Sequence, residues 1–432
     1  MRTSSFRNCA GFIRSAASLL LLAVALSAGA ESLWRYDVTL SHPGQLDIEA
    51  WFPARATVHD SAFEVLSEAC ANGTCHVRYR VHLDDEVTSP GEWLLHPPGT
   101  PDRVRVHLAA AEGLHAATGM TPAPDGAPST YECRGFPDAV FSIFGSFELE
   151  VIDEGGARID VAMTGTGTAA ARERIRDWVR RAARSVTAYY GRMPMKHVLL
   201  IVRVTRGARI GGGTTMGGGG GAVMISAGAD TTRETFDGDW ELTHEFVHLA
   251  FPDQERQHHW IEEGIATYVE PIARSQAGIY PATRIWRDLA DGLPKGEPQA
   301  SDRGLDHTHT WGRTYWGGAL FCFVADVEIR RRTSGRRGLQ DALRGILNAG
   351  GTIDQEWDLP RALAVGDAAT GTKVLEDLYA AMKDDPHPVD LQTLFARLGI
   401  KSDGTLTDEA PEAAIRRAIE RGGNHELPGS RD

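Results

Sequence analysis

The residues of this chain best suited to do chemistry are His244-Glu245-Phe246-Val247-His248, two histidines four apart with a glutamate between them. On a helix, positions four apart project from one face about one turn apart, so both imidazoles can supply corners of a tetrahedral zinc site. Glu245, beside the first of them, stands where a carboxylate can act as general base on a metal-bound water. Leu242, Phe246, Val247 and Leu249 fit a helix buried on its other sides. Two histidines do not complete the site, because catalytic zinc usually takes three protein ligands and a water.

Candidates for the third ligand follow downstream: His258, His259, Glu262 and Glu263. A metzincin would need a histidine six residues beyond His248, where Gln254 stands, and that excludes the class. Glu262 and Glu263 lie about a quarter turn apart on a helix predicted from Trp260 to Ala273, so only one of them can face the metal.

Taken together, His244 to His248 and Trp260-Ile261-Glu262-Glu263-Gly264-Ile265-Ala266-Thr267-Tyr268 resemble the gluzincins, zinc peptidases whose third ligand is a glutamate on the next helix. From about Gly211 to Leu347 the pattern is most similar to the glycyl aminopeptidase family, through Tyr315 ahead of a helix rich in small and charged residues. The resemblance implies a thermolysin-like catalytic domain holding one zinc ion on His244, His248 and Glu263, the glutamate directly before a glycine. It further implies Glu245 as base, Tyr315 as donor to the oxyanion, and a peptide or protein substrate.

Three features depart from the pattern. Fourteen residues separate His248 from Glu263, fewer than in most gluzincins; Gly317 stands where a lysine is common; and the end of the chain leaves no room for a PDZ domain. His307 and His309 are alternative oxyanion donors, and Glu270, two turns beyond Glu263, is either a support for the site or a solvated helix residue. The glycine-rich stretch contains no acid to grip a free α-amino group, so aminopeptidase action rests on resemblance. Two other readings compete, a non-catalytic peptide-binding protein on a peptidase fold and a zinc hydrolase of a non-peptide substrate; the presence of Glu245 weighs against the first.

The elements that must position these residues give an α+β, multidomain chain. Residues 1–30 read as an export signal, with Arg2, Arg7 and Arg14 ahead of an apolar run from Ser15 to Leu26 and Ala28-Gly29-Ala30 at its end. Residues 31–165 alternate polar and apolar with Pro and Gly punctuation, as a β-sandwich does; Trp34–Leu40, Cys75–Leu83, Arg103–Leu108 and Phe147–Ile152 are its clearest strands. The catalytic domain, 166–348, opens with a helix over Thr168–Tyr190 and a buried strand over His197–Val204. Gly211 to Gly221 is predicted to form an edge strand beside the active site, with a flexible linker as the alternative. Residues 349–432 form a C-terminal helical region. The charged run Asp326–Arg332 reads as a solvated, salt-bridged helix face.

Composition narrows the function. A net charge of −13 disfavours nucleic acid and anionic membranes as partners, and beyond the leader no segment is apolar enough to cross a bilayer. Export, to the periplasm or the medium, places Cys70 and Cys75 in an oxidising compartment, where the turn between them lets them pair. Cys322, in an apolar helical run, reads as a buried thiol.

Overall fold

The computed structural model describes residues 32–55, 63–401 and 403–422; the leader predicted over residues 1–30 lies outside them. Two β-rich layers and a helical layer account for the chain. The described residues from 32 to 145 form a six-stranded sheet and a three-stranded sheet that enclose one core, including Trp34, Tyr36, Phe52, Tyr79, Trp93 and Phe144. Strands Leu33–His42, Gln45–Phe52 and Thr74–His82 bury every second residue, as the period-2 pattern requires. The expected Cys70–Cys75 disulfide joins the hairpin of strands Phe63–Ala71 and Thr74–His82.

A five-stranded sheet follows, whose order across the sheet is Glu148–Glu154, Ala157–Gly165, His197–Thr205, Ala222–Gly228 and Ile210–Met216. Its first two strands differ from expectation: the pair placed at the end of the N-terminal sandwich belongs here, with Ala157–Gly165 running parallel to His197–Thr205. Alternation specifies a two-faced strand but not which sheet it joins, and this sheet is covered on both faces. Ile159, Val161, Val198, Leu200 and Val202 face the helices, while Ala162, Leu199, Ile201 and Ala222 face the N-terminal core. His197 links the layers, with Nδ1 3.1 Å from the Met120 carbonyl and Nε2 3.1 Å from Asp160.

The predicted helix is found at Ala169–Tyr190. Thr168 accepts from the Ala171 amide at its start, a cap worth about 1 kcal/mol, and a stripe at helical spacing, Ile175, Trp178, Val179, Ala182 and Val186, is buried. Among its described residues the C-terminal region is helical, as expected, with helices including Leu359–Thr370 and Leu391–Leu398. The Asp326–Arg332 face is not the solvated surface expected. Asp326 and Arg330 are buried and paired at 2.9 Å, and Asp326 also accepts from the Tyr268 hydroxyl and the Leu339 amide. Only Glu328, Arg331 and Arg332 of that run reach solvent-facing partners, among them Glu412 and Asp377.

Candidate metal centre

His244, Glu245 and His248 sit on the helix Glu241–His248, whose Leu242, Phe246 and Val247 are fully buried. The chain then turns back within fourteen residues. Asp253 bonds to the Gln355 carbonyl at 2.9 Å, and a 3-10 turn at Arg256–His258 runs directly into the helix His259–Gln276. His258 is held there by Asp306, 3.0 Å from its Nδ1, and the same carboxylate accepts from the Trp260 indole and the Tyr379 hydroxyl. That buried network fixes the start of the second helix and takes His258 out of the ligand set.

Glu263 is the carboxylate that reaches the histidines. Its Oε2 lies 3.0 Å from His244 Nε2 and 3.6 Å from His248 Nε2, and the ligand atoms of the three residues lie within 4.8 Å of one another. Glu262, one position earlier, points to His259 Nδ1 at 3.2 Å. His259 Nε2 in turn lies 3.3 Å from Glu263 Oε1, so this imidazole clamps both carboxylates and leaves Oε2 to the histidine pair. Two imidazole nitrogens and one carboxylate oxygen meeting in a buried spot form a donor set that fits zinc.

Charge in the cluster follows from these contacts. Burial alone would raise the Glu263 carboxyl, but hydrogen bonds from His244, His248 and His259 hold it far below the ordinary range. Burial lowers His244; for His248 burial acts in the same direction, yet the hydrogen bond and charge of Glu263 outweigh it and the ring is raised. His259, bonded to both Glu262 and Glu263, is raised to about 10 and is therefore cationic at neutral pH. Outer-shell partners of this type commonly contribute about 10–100-fold in metal affinity, so His259→Ala is expected to weaken zinc binding by that factor. Competition with a fluorescent chelator measures it, and unchanged affinity would show that the clamp is idle.

Glu245 and the edge strand meet directly. The first part of the glycine-rich stretch is the predicted edge strand, at Ile210–Met216, while Gly217–Gly221 lies outside it and connects to the next strand. Thr215 Oγ lies 2.6 Å from Glu245 Oε2 and 2.9 Å from the Glu245 carbonyl, and the Gly213 amide donates to Glu241 Oε1 at 2.8 Å.

Tyr315 enters from a third element. A single π-helical turn, Gly312–Gly317, precedes the helix Gly318–Arg332; π turns are frequent at functional sites. The Tyr315 ring stacks on His244, 6.3 Å between centroids, and burial together with the charge of Glu263 pushes its hydroxyl up to about 12. The second helix approaches so closely that a Cβ on Gly264 would lie 2.3 Å from the Gly318 backbone, and one on Gly318 would lie 2.0 Å from the Trp260 carbonyl. The Glu-Gly step thus has a steric cause: glycine beside the carboxylate lets the tyrosine-bearing helix reach the site. His307 pairs instead with Asp384 at 3.0 Å, and His309 is exposed.

A pocket of ≈ 750 Å³ opens beside the cluster, lined by Trp240, His244, Glu270, Trp311, Tyr315 and Trp316 among others. Glu270 is not solvated. It is buried against Arg274, 2.7 Å away, and burial raises its carboxyl to about 7. Trp240 and Trp311, both exposed, flank this pocket, and Trp311 stacks on Tyr315.

No protein-family model and no curated protein matches the chain. Among solved structures it is similar to an aminopeptidase N family protein from Idiomarina loihiensis, at 14% identity and TM-score 0.61 over 85% of this chain and 78% of that one. A second is an M1 zinc metallopeptidase from Deinococcus radiodurans, at 13% identity and TM-score 0.46 over 83% of this chain and 96% of that one. At such identity the likeness is one of fold: the chain shares the α+β fold of the aminopeptidase N family protein. It does not single out the glycyl aminopeptidases.

Proposed function

We propose that this chain is a zinc-dependent peptidase, with a thermolysin-like catalytic domain built on the five-stranded sheet. The observation that supports it is the meeting of His244 Nε2, His248 Nε2 and a Glu263 oxygen in one buried cluster, with Glu245 and Tyr315 on either side. His244, His248 and Glu263 would hold one zinc ion, which when bound supplies a water acidic near neutrality and polarises a carbonyl. Glu245 accepts the proton of the attacking water and passes it to the leaving amine. The Tyr315 hydroxyl, still protonated at neutral pH, donates to the oxygen on which charge develops. The edge strand offers main-chain groups to an extended substrate, and the aromatic pocket takes an apolar side chain next to the scissile bond. Removal of N-terminal residues, the narrower form, rests on the aminopeptidase N neighbour. Export fits the leader predicted at residues 1–30 and the Cys70–Cys75 disulfide.

Zinc determination on the purified chain, with digestion of a peptide library, tests the proposal. One zinc per chain is expected, with hydrolysis that a chelator abolishes and added zinc restores. A chain that binds no zinc, or one that is loaded and cleaves no peptide, would overturn it. Cleavage confined to free N-termini would establish the narrower form.

A further inference from the structure

We infer that the edge strand, besides any part in binding substrate, sets the direction of the general base, and that Thr215 and Gly213 are its positioning residues. The inference rests on the peptidase reading of Glu245 and deepens it. A base on a helix is fixed at its Cα, but a glutamate has three side-chain torsions, and holding such a chain in one rotamer costs conformational entropy. Something must hold the carboxylate if it is to meet water in one orientation.

The strand supplies that hold through two contacts. The Thr215 hydroxyl lies 2.6 Å from Glu245 Oε2 and 2.9 Å from the carbonyl of the same residue. One hydroxyl proton cannot serve both acceptors at once, and the shorter contact is to the ionised oxygen, where a charge-assisted bond is stronger. The other oxygen, Oε1, lies against Gly213: a Cβ there would sit 2.6 Å from it, and 2.8 Å from Glu245 Cγ. Oε2 is thereby tethered, and Oε1 is given space only because position 213 has no side chain.

The strand geometry is arranged to make these contacts. Its pairing with Ala222–Gly228 shifts register between Gly211 and Thr214, and Gly212 takes φ +74° in that interval, a conformation that favours glycine. The bulge brings the Gly213 amide onto Glu241 Oε1 at 2.8 Å, which ties the strand to the first turn of the helix bearing the base. Beyond it Thr215 and Met216 return to regular pairing with Val223 and Ala222, and this register brings the Thr215 hydroxyl to the base. The glycines and the threonine therefore act together, with the bulge as seat and the hydroxyl as tether.

The test compares Thr215→Val, Thr215→Ser and Gly213→Ala in the zinc-loaded full chain. A hydrogen bond to a charged group contributes enough that Thr215→Val is expected to lower kcat about 10–100-fold, with KM and zinc content nearly unchanged. Thr215→Ser restores most of the turnover, and Thr215→Val has no further effect in a Glu245→Gln background, as a residue acting through the base must. Crystal structures supply a readout independent of turnover: the Glu245 carboxylate should leave its position in Thr215→Val and in Gly213→Ala. The inference is overturned if kcat of Thr215→Val stays within about twofold of wild type, if serine fails to rescue, or if the carboxylate does not move. Should wild type cleave no peptide, the peptidase reading fails by itself, and the carboxylate position still decides whether the strand holds Glu245.

Discussion

Glu245→Gln should lower kcat/KM for peptide hydrolysis by about 10²–10⁴-fold, the range for removing a positioned general base, while zinc content and thermal stability stay at wild-type values. The expectation follows from position. The side chain is tethered by Thr215 and makes no contact with His244, His248 or Glu263 of the kind that links those three. Glutamine keeps the volume and can still bond the threonine hydroxyl, so the change removes proton acceptance and little else. Glu263→Gln provides the contrast, because its carboxylate oxygen is shared by both histidines, and this variant should lose activity together with zinc. Elemental analysis after dialysis beside kinetics on one fluorogenic peptide separates the two. If Glu245→Gln retained full turnover, the assignment of the base would be wrong.

Gly264→Ala is expected to unfold or displace the site by a purely steric route. The added methyl would lie 2.3 Å from the Cα and carbonyl carbon of Gly318, and backbone on the opposing helix has no rotamer by which to yield. Overpacking costs about 1–3 kcal/mol where side chains can adjust and sometimes more, and this contact belongs at the upper end. For a domain of this size each kcal/mol lowers Tm by roughly 2–4 °C, so a fall of about 6–12 °C is expected. Zinc affinity should fall as well, since Glu263 precedes the glycine and the π turn bearing Tyr315 precedes Gly318. Gly238→Ala is the control, where the same methyl meets nothing within 4 Å and a helix gains rather than loses by the change. Equal melting temperatures for the two variants would refute the close-packing account.

Much of the centre was legible because its spacing is local. His244 and His248 share a helical face at any i, i+4 spacing, and the apolar residues between them required that helix to be buried. The Thr168–Tyr190 helix and the His197–Val204 strand were readable for a similar local reason, the first as an apolar stripe at helical spacing and the second as a short continuous apolar run. Other assignments depended on what packs against what. Residues 148–165 alternate as sandwich strands would, yet Ala157–Gly165 pairs with His197–Thr205 and carries Glu148–Glu154 into the same sheet, because alternation does not name a partner. Asp326 and Arg330 read as solvated charges, but Tyr268 and the Leu339 amide bury them in a bonded network, and no local pattern encodes a neighbour 13 or 58 residues away.

By itself, then, the sequence determined the pair of imidazoles, the glutamate beside them and the types of most helices and strands, since these depend on periodicities of a few residues. The tertiary structure decided which carboxylate joins the histidines. His259 draws Glu262 and the outer oxygen of Glu263 to itself, and Oε2 of Glu263 is left to the pair. It also showed why Gly264 must be small and that Thr215, on a distant edge strand, lies 2.6 Å from the Glu245 carboxylate. Each of these is a distance of a few ångströms between elements remote in sequence, set by how sheet and helices pack.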